Sequence, residues 1–352
     1  MSRARPSRAR ASVVDLFCGA GGLSYGFKSE GFALAAGIDI DETCRFPYAT
    51  NNQAPFIRKD VGSLTAKGVE LLFEAGATRV LVGCAPCQPF STYNQKNADP
   101  NWRLLQSFGR LIDQVRPDVV SMENVPRLMK FKDGKTFQKF VSTLLAADYQ
   151  VEWDVLYGPD YGLAQTRSRL VLLASRMGKI TLPEPTHKTR HRTVRDEIGE
   201  LPPLKHGEAD ETDPLHCASR LSNTNALRMA SAKPGGTWRD WDPKLVTTCH
   251  KAESGRGYSS VYGRMEWTAP SPTITTQFYG FGNGRFGHPD QDRALSLREG
   301  ALISSTILPR RKSTRTTSSG NSIAKSSTSM TRATSRPAAG KPCSRTIPGL
   351  KR

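Results

Sequence analysis

The sequence predicts an α/β fold: a doubly wound, mostly parallel sheet with helices on both faces. Three observations predict it. Apolar, β-branched runs alternate with amphipathic segments from residue 13 to 175. Glycine- or proline-rich turns follow the ends of several runs. Residues that carry chemistry sit just after those ends, where open α/β sheets bind ligands.

Ser12 to Phe17 reads as a buried strand, followed by a glycine turn and a helix through Lys28. Ala33 to Ile40 is a second strand and Phe56-Ile57 a short third one. Leu64 to Glu74 reads as helix, Val80 to Gly83 as strand, Trp102 to Val115 as helix and Asp118 to Met122 as strand. Lys135 to Ala147 is helical, and Val151 to Tyr157 and Arg169 to Ala174 are extended. The texture changes after Leu182. Pro183, Pro185, Pro202, Pro203, Pro214 and Pro234 interrupt a polar stretch in which Trp238, Trp241 and Trp267 supply aromatic anchors. A smaller, loop-rich domain is expected over 183–265. Residues 303–352 hold no acid and no aromatic side chain, but many Ser, Thr and Arg, and are expected to be a disordered tail.

The net charge of +18 is uneven. Residues 1–10 carry four Arg and residues 301–352 carry eleven Lys or Arg, with no acid in either, which leaves +3 for 11–300. Residues 1–11 form a basic arm, and both ends attract polyanions without reading sequence. No run of 18 apolar residues predicts a membrane span, and the N-terminus lacks the apolar core of a signal peptide. Seven cysteines without framework spacing point to a reducing cytosol.

The first turn reads Asp15-Leu16-Phe17-Cys18-Gly19-Ala20-Gly21-Gly22-Leu23-Ser24. Glycines let a ligand approach the backbone. Ser24 stands where a dinucleotide fingerprint has its third Gly, which disfavours a nicotinamide-dependent oxidoreductase. Asp39, at the end of the second strand, is placed to accept from ribose hydroxyls, and Asp60, after the third, from an adenine amino group. A nucleoside cofactor fits these positions.

Gly83-Cys84-Ala85-Pro86-Cys87-Gln88-Pro89-Phe90-Ser91 follows one strand, and Met122-Glu123-Asn124-Val125 ends another. A thiol and a carboxylate from two strand ends suit nucleophilic addition to a ring that an acid activates. Cys84 and Cys87 also form a C-x-x-C, which a redox pair or half a zinc site with His216-Cys217 or Cys249-His250 would need. No thioredoxin-like context surrounds it, and the dipeptides lack ligand spacing.

Taken in order, these pieces resemble the bacterial DNA (cytosine-5) methyltransferases. The others are Asp39-Ile40-Asp41, Lys59-Asp60-Val61, Gln165-Thr166-Arg167-Ser168-Arg169 and Arg293 to Glu299, so the likeness covers about 15–300. The resemblance implies a Rossmann-like methyltransferase sheet with one antiparallel strand in a catalytic domain over 12–182. It makes 183–265 a target-recognition domain and returns 266–302 to the catalytic domain. It implies S-adenosylmethionine as methyl donor, S-adenosylhomocysteine as product, and no metal. Cys87 is the implied nucleophile and Glu123 the acid at ring nitrogen 3. Arg169 and Arg167 hold the base and the site. Phe17, Gly19, Gly21, Gly22, Leu23, Asp39, Ile40, Asp60, Val61 and Leu104 line the cofactor. Ser91, Arg264 and Thr275 are candidate DNA contacts, beside the basic run at 187–192. The target cytosine must be flipped from the duplex. The implied setting is a monomeric modification enzyme of a restriction–modification pair, with a cognate endonuclease, in the bacterial cytoplasm on double-stranded DNA. A relative acting on RNA remains an alternative.

The likeness stops at Leu302. The family continues with Gln, Phe-Pro and a Gly-Asn segment that closes the cofactor pocket, whereas this chain reads Ile303-Ser304-Ser305-Thr306. One choice of codons for Ile303 to Ser305, read two bases on, gives Leu-Gln. A reading-frame shift near 303 is therefore the hypothesis, with the gene sequence as its test. It predicts weakened donor binding, and leaves a catalytically impaired DNA-binding remnant as the alternative function.

Overall fold

The computed structural model describes residues 11–90 and 100–305. The expected arm (residues 1–10 of it), Ser91 and residues 306–352 lie outside the described residues. The chain divides into two compact units. Among the described residues, the first comprises 11–90, 100–160 and 167–186, the second 161–166 and 187–305.

The first unit is built on one sheet. Its elements are β1 (Ala11–Leu16), α1 (Gly22–Ser29), β2 (Ala33–Asp39), α2 (Arg45–Asn52), β3 (Phe56–Arg58), α3 (Ala66–Glu70), β4 (Thr78–Gly83), α4 (Arg103–Val115), β5 (Val119–Asn124), α5 (Lys135–Ala146) and β6 (Gln150–Tyr157). After β7 (Gln165–Thr166), which belongs to the second unit, β8 (Ser168–Ser175) completes the sheet. The strand order is β3-β2-β1-β4-β5-β8-β6. The five strands from β3 to β5 run parallel, and β8 runs antiparallel to both β5 and β6. The expected single reversed strand is therefore β8.

β1 is buried from Ser12 to Leu16, as a central parallel strand covered on both faces must be. Its apolar residues Val14 and Leu16 join Leu81, Val120 and Met122 in the main core, with Phe108, Leu111 and Ile112 from α4 and Phe140 and Leu144 from α5. The chain leaves β1 toward β2 on one side and occupies β4 and β5 on the other. The turns after β1 and β4 thus diverge at the point where strand order reverses, the usual ligand crevice of such sheets.

Two local readings needed correction. The helix expected over 64–74 is only Ala66–Glu70, started by Thr65, whose Oγ1 accepts from Gly68 N, and closed before Gly76 at φ 77°. Helix α2 was not expected. Its short sequence shows little periodicity, yet Tyr48 and Asn52, one turn apart, are both buried.

The second unit contains α6 (Val194–Ile198), α7 (Asn223–Ser231), α8 (Thr248–Lys251), β9 (Ser271–Pro272) and α9 (Leu297–Ile303), joined by long irregular stretches. β7 pairs parallel with β9. One core gathers Trp238, Trp241, Met229 and Phe281. Another gathers Val194, Ile198, Met265, Leu295, Leu302 and Ile303. Residues 266–302 therefore pack with 187–265, where the sequence reading returned them to the first domain. Apolar residues on both sides of 265 share a core, and the chain crosses over earlier, at 161–166. Ile303, assigned to the tail from sequence, is the buried last residue of α9. Arg293 and Glu299 form a fully buried pair at 2.7 Å, and Glu299 also accepts from Ser296 N in a capping box.

Candidate active site

The glycine turn after β1 is held by a buried polar network. Phe17 (φ 59°), Gly19 (φ 51°) and Gly21 (φ 91°) lie in the left-handed region. A Cβ on Gly21 would overlap Asn52 Nδ2 and come within 2.7 Å of the Tyr48 ring, so only glycine fits there. Asn52 Nδ2 donates to Gly21 O at 3.3 Å. Ser24 Oγ donates to Asp15 Oδ2 at 2.6 Å and lies 3.0 Å from Tyr48 Oη. Ser24 thus replaces the third fingerprint Gly with an anchor for the turn. Burial pushes the Asp15 carboxyl up to about 7, against the pull of the Ser24 hydrogen bonds.

Around this turn, Asp39 Oδ2 accepts from Gly19 N and Oδ1 from Asp41 N, each at 2.9 Å. Asp60, exposed after β3, accepts from Gly62 N through Oδ1 at 2.8 Å. Val61 is buried, Ile40 is 64% exposed, and Leu23 and Leu104 are half-buried. Gly22 opens α1 at the surface, and neither it nor Gly19 has a neighbour where a Cβ would stand.

The second cluster gathers at the carboxyl ends of β4 and β5. Cys87 is exposed on a tight turn in which Phe90 N donates to Cys87 O at 2.9 Å, while Pro89 and Phe90 are buried. Buried Asn124, at the end of β5, donates from Nδ2 to Ala85 O at 2.9 Å and so ties this turn to the neighbouring strand. Glu123, one residue earlier, meets Arg169 Nε at 2.8 Å. Because β8 is antiparallel, its first residues lie beside the last residues of β5, with Asn124 opposite Leu170. Arg167 lies near enough to Arg169 and Glu123 to feel their charges. Burial, then Arg169, lowers its guanidinium below the usual range. The Cys84 thiol is pushed well up, first by burial and then by Glu123, to which it is hydrogen-bonded. Cys84 is thus held as a neutral thiol, beside an exposed Cys87.

This order of motifs matches the family of C-5 cytosine-specific DNA methylases over residues 11–326. The chain belongs to that family. It is a DNA cytosine-5 methyltransferase. It is 49% identical over 294 residues to the Type II methylase M.HgiDII of Herpetosiphon aurantiacus, covering 83% of each protein. It is 30% identical over 300 residues to the Type II methyltransferase M1.HphI of Haemophilus parahaemolyticus, covering 84% of this chain and 77% of that one. Among solved structures, a DNA modification methyltransferase encoded within an E. coli prophage shares the fold, with TM-score 0.64, 21% identity and coverage of 83% of this chain and 88% of that one.

In the second unit the methyltransferase corrects one expected DNA contact. Arg264 is 5% exposed. Its guanidinium donates to the carbonyls of Met229, Ala232, His288 and Gln291 and pairs with Asp292. Those bonds occupy the donors that a phosphate would need. Thr275 is exposed, with its carbonyl accepting from Phe278 N. In the basic run, Arg192 pairs with Glu197 at 2.8 Å and Arg190 approaches Asp196 at 3.8 Å. His216 bridges Ser296 Oγ and Pro202 O at 2.9 and 2.8 Å. Among the described residues no group of three His, Cys, Asp or Glu side chains could hold a metal, and no helix is long and apolar enough to cross a membrane.

Sequence reading missed Tyr48 and Asn52 as parts of the site and gave Asp15 no role beyond its place in the turn motif. Ser24, at the place of an expected glycine, was the available signal.

Proposed function

We propose that the enzyme transfers a methyl group from S-adenosylmethionine to carbon 5 of a cytosine turned out of double-stranded DNA, through a covalent adduct with Cys87. The carrying observation is the exposed Cys87 turn, tied by Asn124 to the strand that presents Glu123, with Glu123 in turn held by Arg169.

The residues around the glycine turn fit that donor. Space is open above Gly19 and Gly22, the Asp39 carboxylate is fixed by two backbone N–H groups for a ribose, and exposed Ile40 offers apolar surface to a base. Asp60 is preset by Gly62 N to accept from an adenine amino group. Phe17, Gly21, Leu23, Val61 and Leu104 complete this reading of the pocket. When bound, S-adenosylmethionine supplies the electrophilic methyl group and leaves as S-adenosylhomocysteine.

Carbon 5 of cytosine is too weak a nucleophile alone. The Cys87 thiolate adds to carbon 6, forming the S–C bond, and Glu123 gives a proton to nitrogen 3. The ring electrons then reside on carbon 5, which takes the methyl group. Water or hydroxide then takes the carbon 5 proton, the carbon 6–sulfur bond breaks with its electron pair on Cys87, and the nitrogen 3 proton returns to Glu123, which restores the ring. Arg169 orients Glu123 and faces oxygen 2 of the base, and Arg167 places positive charge beside the thiol. Base flipping is required because the thiol cannot reach a stacked base. Thr275 and Ser91 are the proposed phosphate contacts. The second unit is the target-recognition part, and residues 12–182 carry the chemistry. The setting is a monomeric Type II modification enzyme paired with an endonuclease in the bacterial cytoplasm.

A duplex carrying 5-fluorocytosine at the recognition sequence, incubated with S-adenosylmethionine, should become covalently trapped on the protein. Trapping should vanish in Cys87→Ser. Absence of trapping with donor bound overturns the covalent reading.

A further inference from the structure

Helix α4 does more than cover the sheet: one of its side chains holds the turn that carries Asp60. Val61–Ser63 form a single helical turn directly after Asp60. Packing anchors Val61 and Leu64 in the main core but leaves Asp60, Gly62 and Ser63 exposed. Hydrogen bonds hold the exposed part. Asp60 Oδ1 accepts from Gly62 N at 2.8 Å, and Asp60 O accepts from Ser63 Oγ at 2.8 Å and from Ser63 N at 3.0 Å. Arg110, half-buried on α4, completes the set from outside the turn. Its Nη2 donates to Leu64 O at 3.1 Å and to Gly62 O at 3.4 Å, while its Nη1 donates to Gln114 Oε1, one helical turn on, at 3.1 Å. Gly62 is thus held from both sides, its N–H by the Asp60 carboxylate and its carbonyl by Arg110.

A guanidinium reaches two acceptors from one rigid plane, and its charge strengthens both bonds. Without it the Gly62 and Leu64 carbonyls lose their donor, and the exposed turn is free to swing with the N–H that orients the Asp60 carboxylate. We infer that Arg110 is a positioning residue for the methyl donor, acting through Asp60 on the purine. This rests on the proposed donor pocket and deepens it, because it says how the pocket selects adenine. The adenine amino group donates to the carboxylate, whereas a 6-oxo purine turns a carbonyl oxygen toward it. A fixed carboxylate rejects that oxygen, and one free to turn away does not. Base selection is therefore built in part on α4, the helix that also carries Leu104.

The test titrates the full chain calorimetrically with S-adenosylhomocysteine and with S-inosylhomocysteine, the weaker ligand being read by competition. The two differ only by an amino group against an oxygen at carbon 6 of the purine. The parent protein should bind the adenosyl ligand more tightly. Arg110→Met keeps the apolar stem and removes the donors. It should weaken the adenosyl ligand about tenfold, the size of one lost hydrogen bond, and the inosyl ligand less than about twofold. Arg110→Lys, with one ammonium for two carbonyls, should fall between the parent and Arg110→Met, and it carries the test if Arg110→Met does not fold. A parent protein that binds both ligands equally, variants with the parent's affinities, or equal losses on the two ligands would overturn the role of Arg110 alone. Failure of the parent protein to bind S-adenosylhomocysteine overturns the donor-pocket reading beneath it.

Discussion

Glu123 and Arg169 meet at 2.8 Å across the one antiparallel pairing that β5 makes in the sheet. A parallel neighbour would present its carboxyl end beside β5. The reversed β8 presents its first residues instead, so a strand start delivers an arginine to an edge otherwise made of strand ends. Removing the guanidinium frees the carboxylate to turn away. Arg169→Ala should lower kcat about 10²- to 10³-fold, in the range of a lost positioned acid, and Arg169→Lys should recover little because Nε is the contacting atom. Single-turnover methyl transfer on saturating DNA measures it.

The two cysteines of the C-A-P-C segment should react unequally. Cys87 is exposed, whereas burial and Glu123 hold the Cys84 thiol protonated. Nucleophilic attack requires the thiolate. Iodoacetamide at pH 8 should label Cys87 at least about tenfold faster than Cys84, as read by peptide mass spectrometry. Exposed Cys249 serves as the internal reference. Equal rates would show that Cys84 is not held as described.

Asp15 gives stability an unusual pH dependence. Its carboxyl titrates near 7 when folded, raised from 3.8 by burial. The folded state therefore binds its proton more tightly than the unfolded chain. That contribution is fully present below about pH 4 and is lost as pH rises to about 7. The full shift corresponds to about 4 kcal/mol. His288 acts oppositely in the second unit. Burial lowers it from 6.5 to about 4 despite nearby Glu299, so its contribution is lost as pH falls through that window. Asp15→Asn should flatten the decline of first-unit stability between pH 4 and 7, read by hydrogen exchange in β1 at each pH. An unchanged slope would reject it.

Gly21 cannot carry a side chain. With φ at 91° and Tyr48 and Asn52 packed against its missing Cβ, Gly21→Ala must displace the buried network under the turn. The cost should be about 1–3 kcal/mol of stability, with donor affinity falling as the turn moves. Thermal melting and calorimetric titration with S-adenosylmethionine separate the two effects. Gly22→Ala, whose Cβ would meet no protein atom, is the control for the melting temperature alone.

The alternation of strands and helices was legible because β1, β4 and β5 are apolar in continuous runs, which only a covered parallel strand tolerates. The orientation of β8 was not legible from its own residues, since Arg-Leu-Val-Leu-Leu-Ala fits either direction. It came with the family resemblance, as did the roles of Glu123 and Arg169. Helix α9 has a readable start, Ser296 with Glu299 three residues on, the spacing of a capping box. The second unit stayed opaque because hydrogen bonds and buried ion pairs hold it as much as periodic apolar faces do. Sequence does not show which arginines those pairs consume.

Arg264 is the sharpest case. As a DNA contact, its loss would weaken affinity and reduce the salt dependence of binding by about one phosphate. Its burial predicts something else. The guanidinium joins four carbonyls and Asp292, and thereby ties the end of α7 to the loop before α9. Arg264→Ala leaves those acceptors and the Asp292 carboxylate without their donor, at about 3–5 kcal/mol. Arg264→Lys restores the charge but only part of the donor set. Both variants should melt earlier, alanine the more so. At a temperature where each is folded, the slope of log affinity against log salt should match the parent protein. A slope reduced by about one, with melting unchanged, would return Arg264 to the DNA.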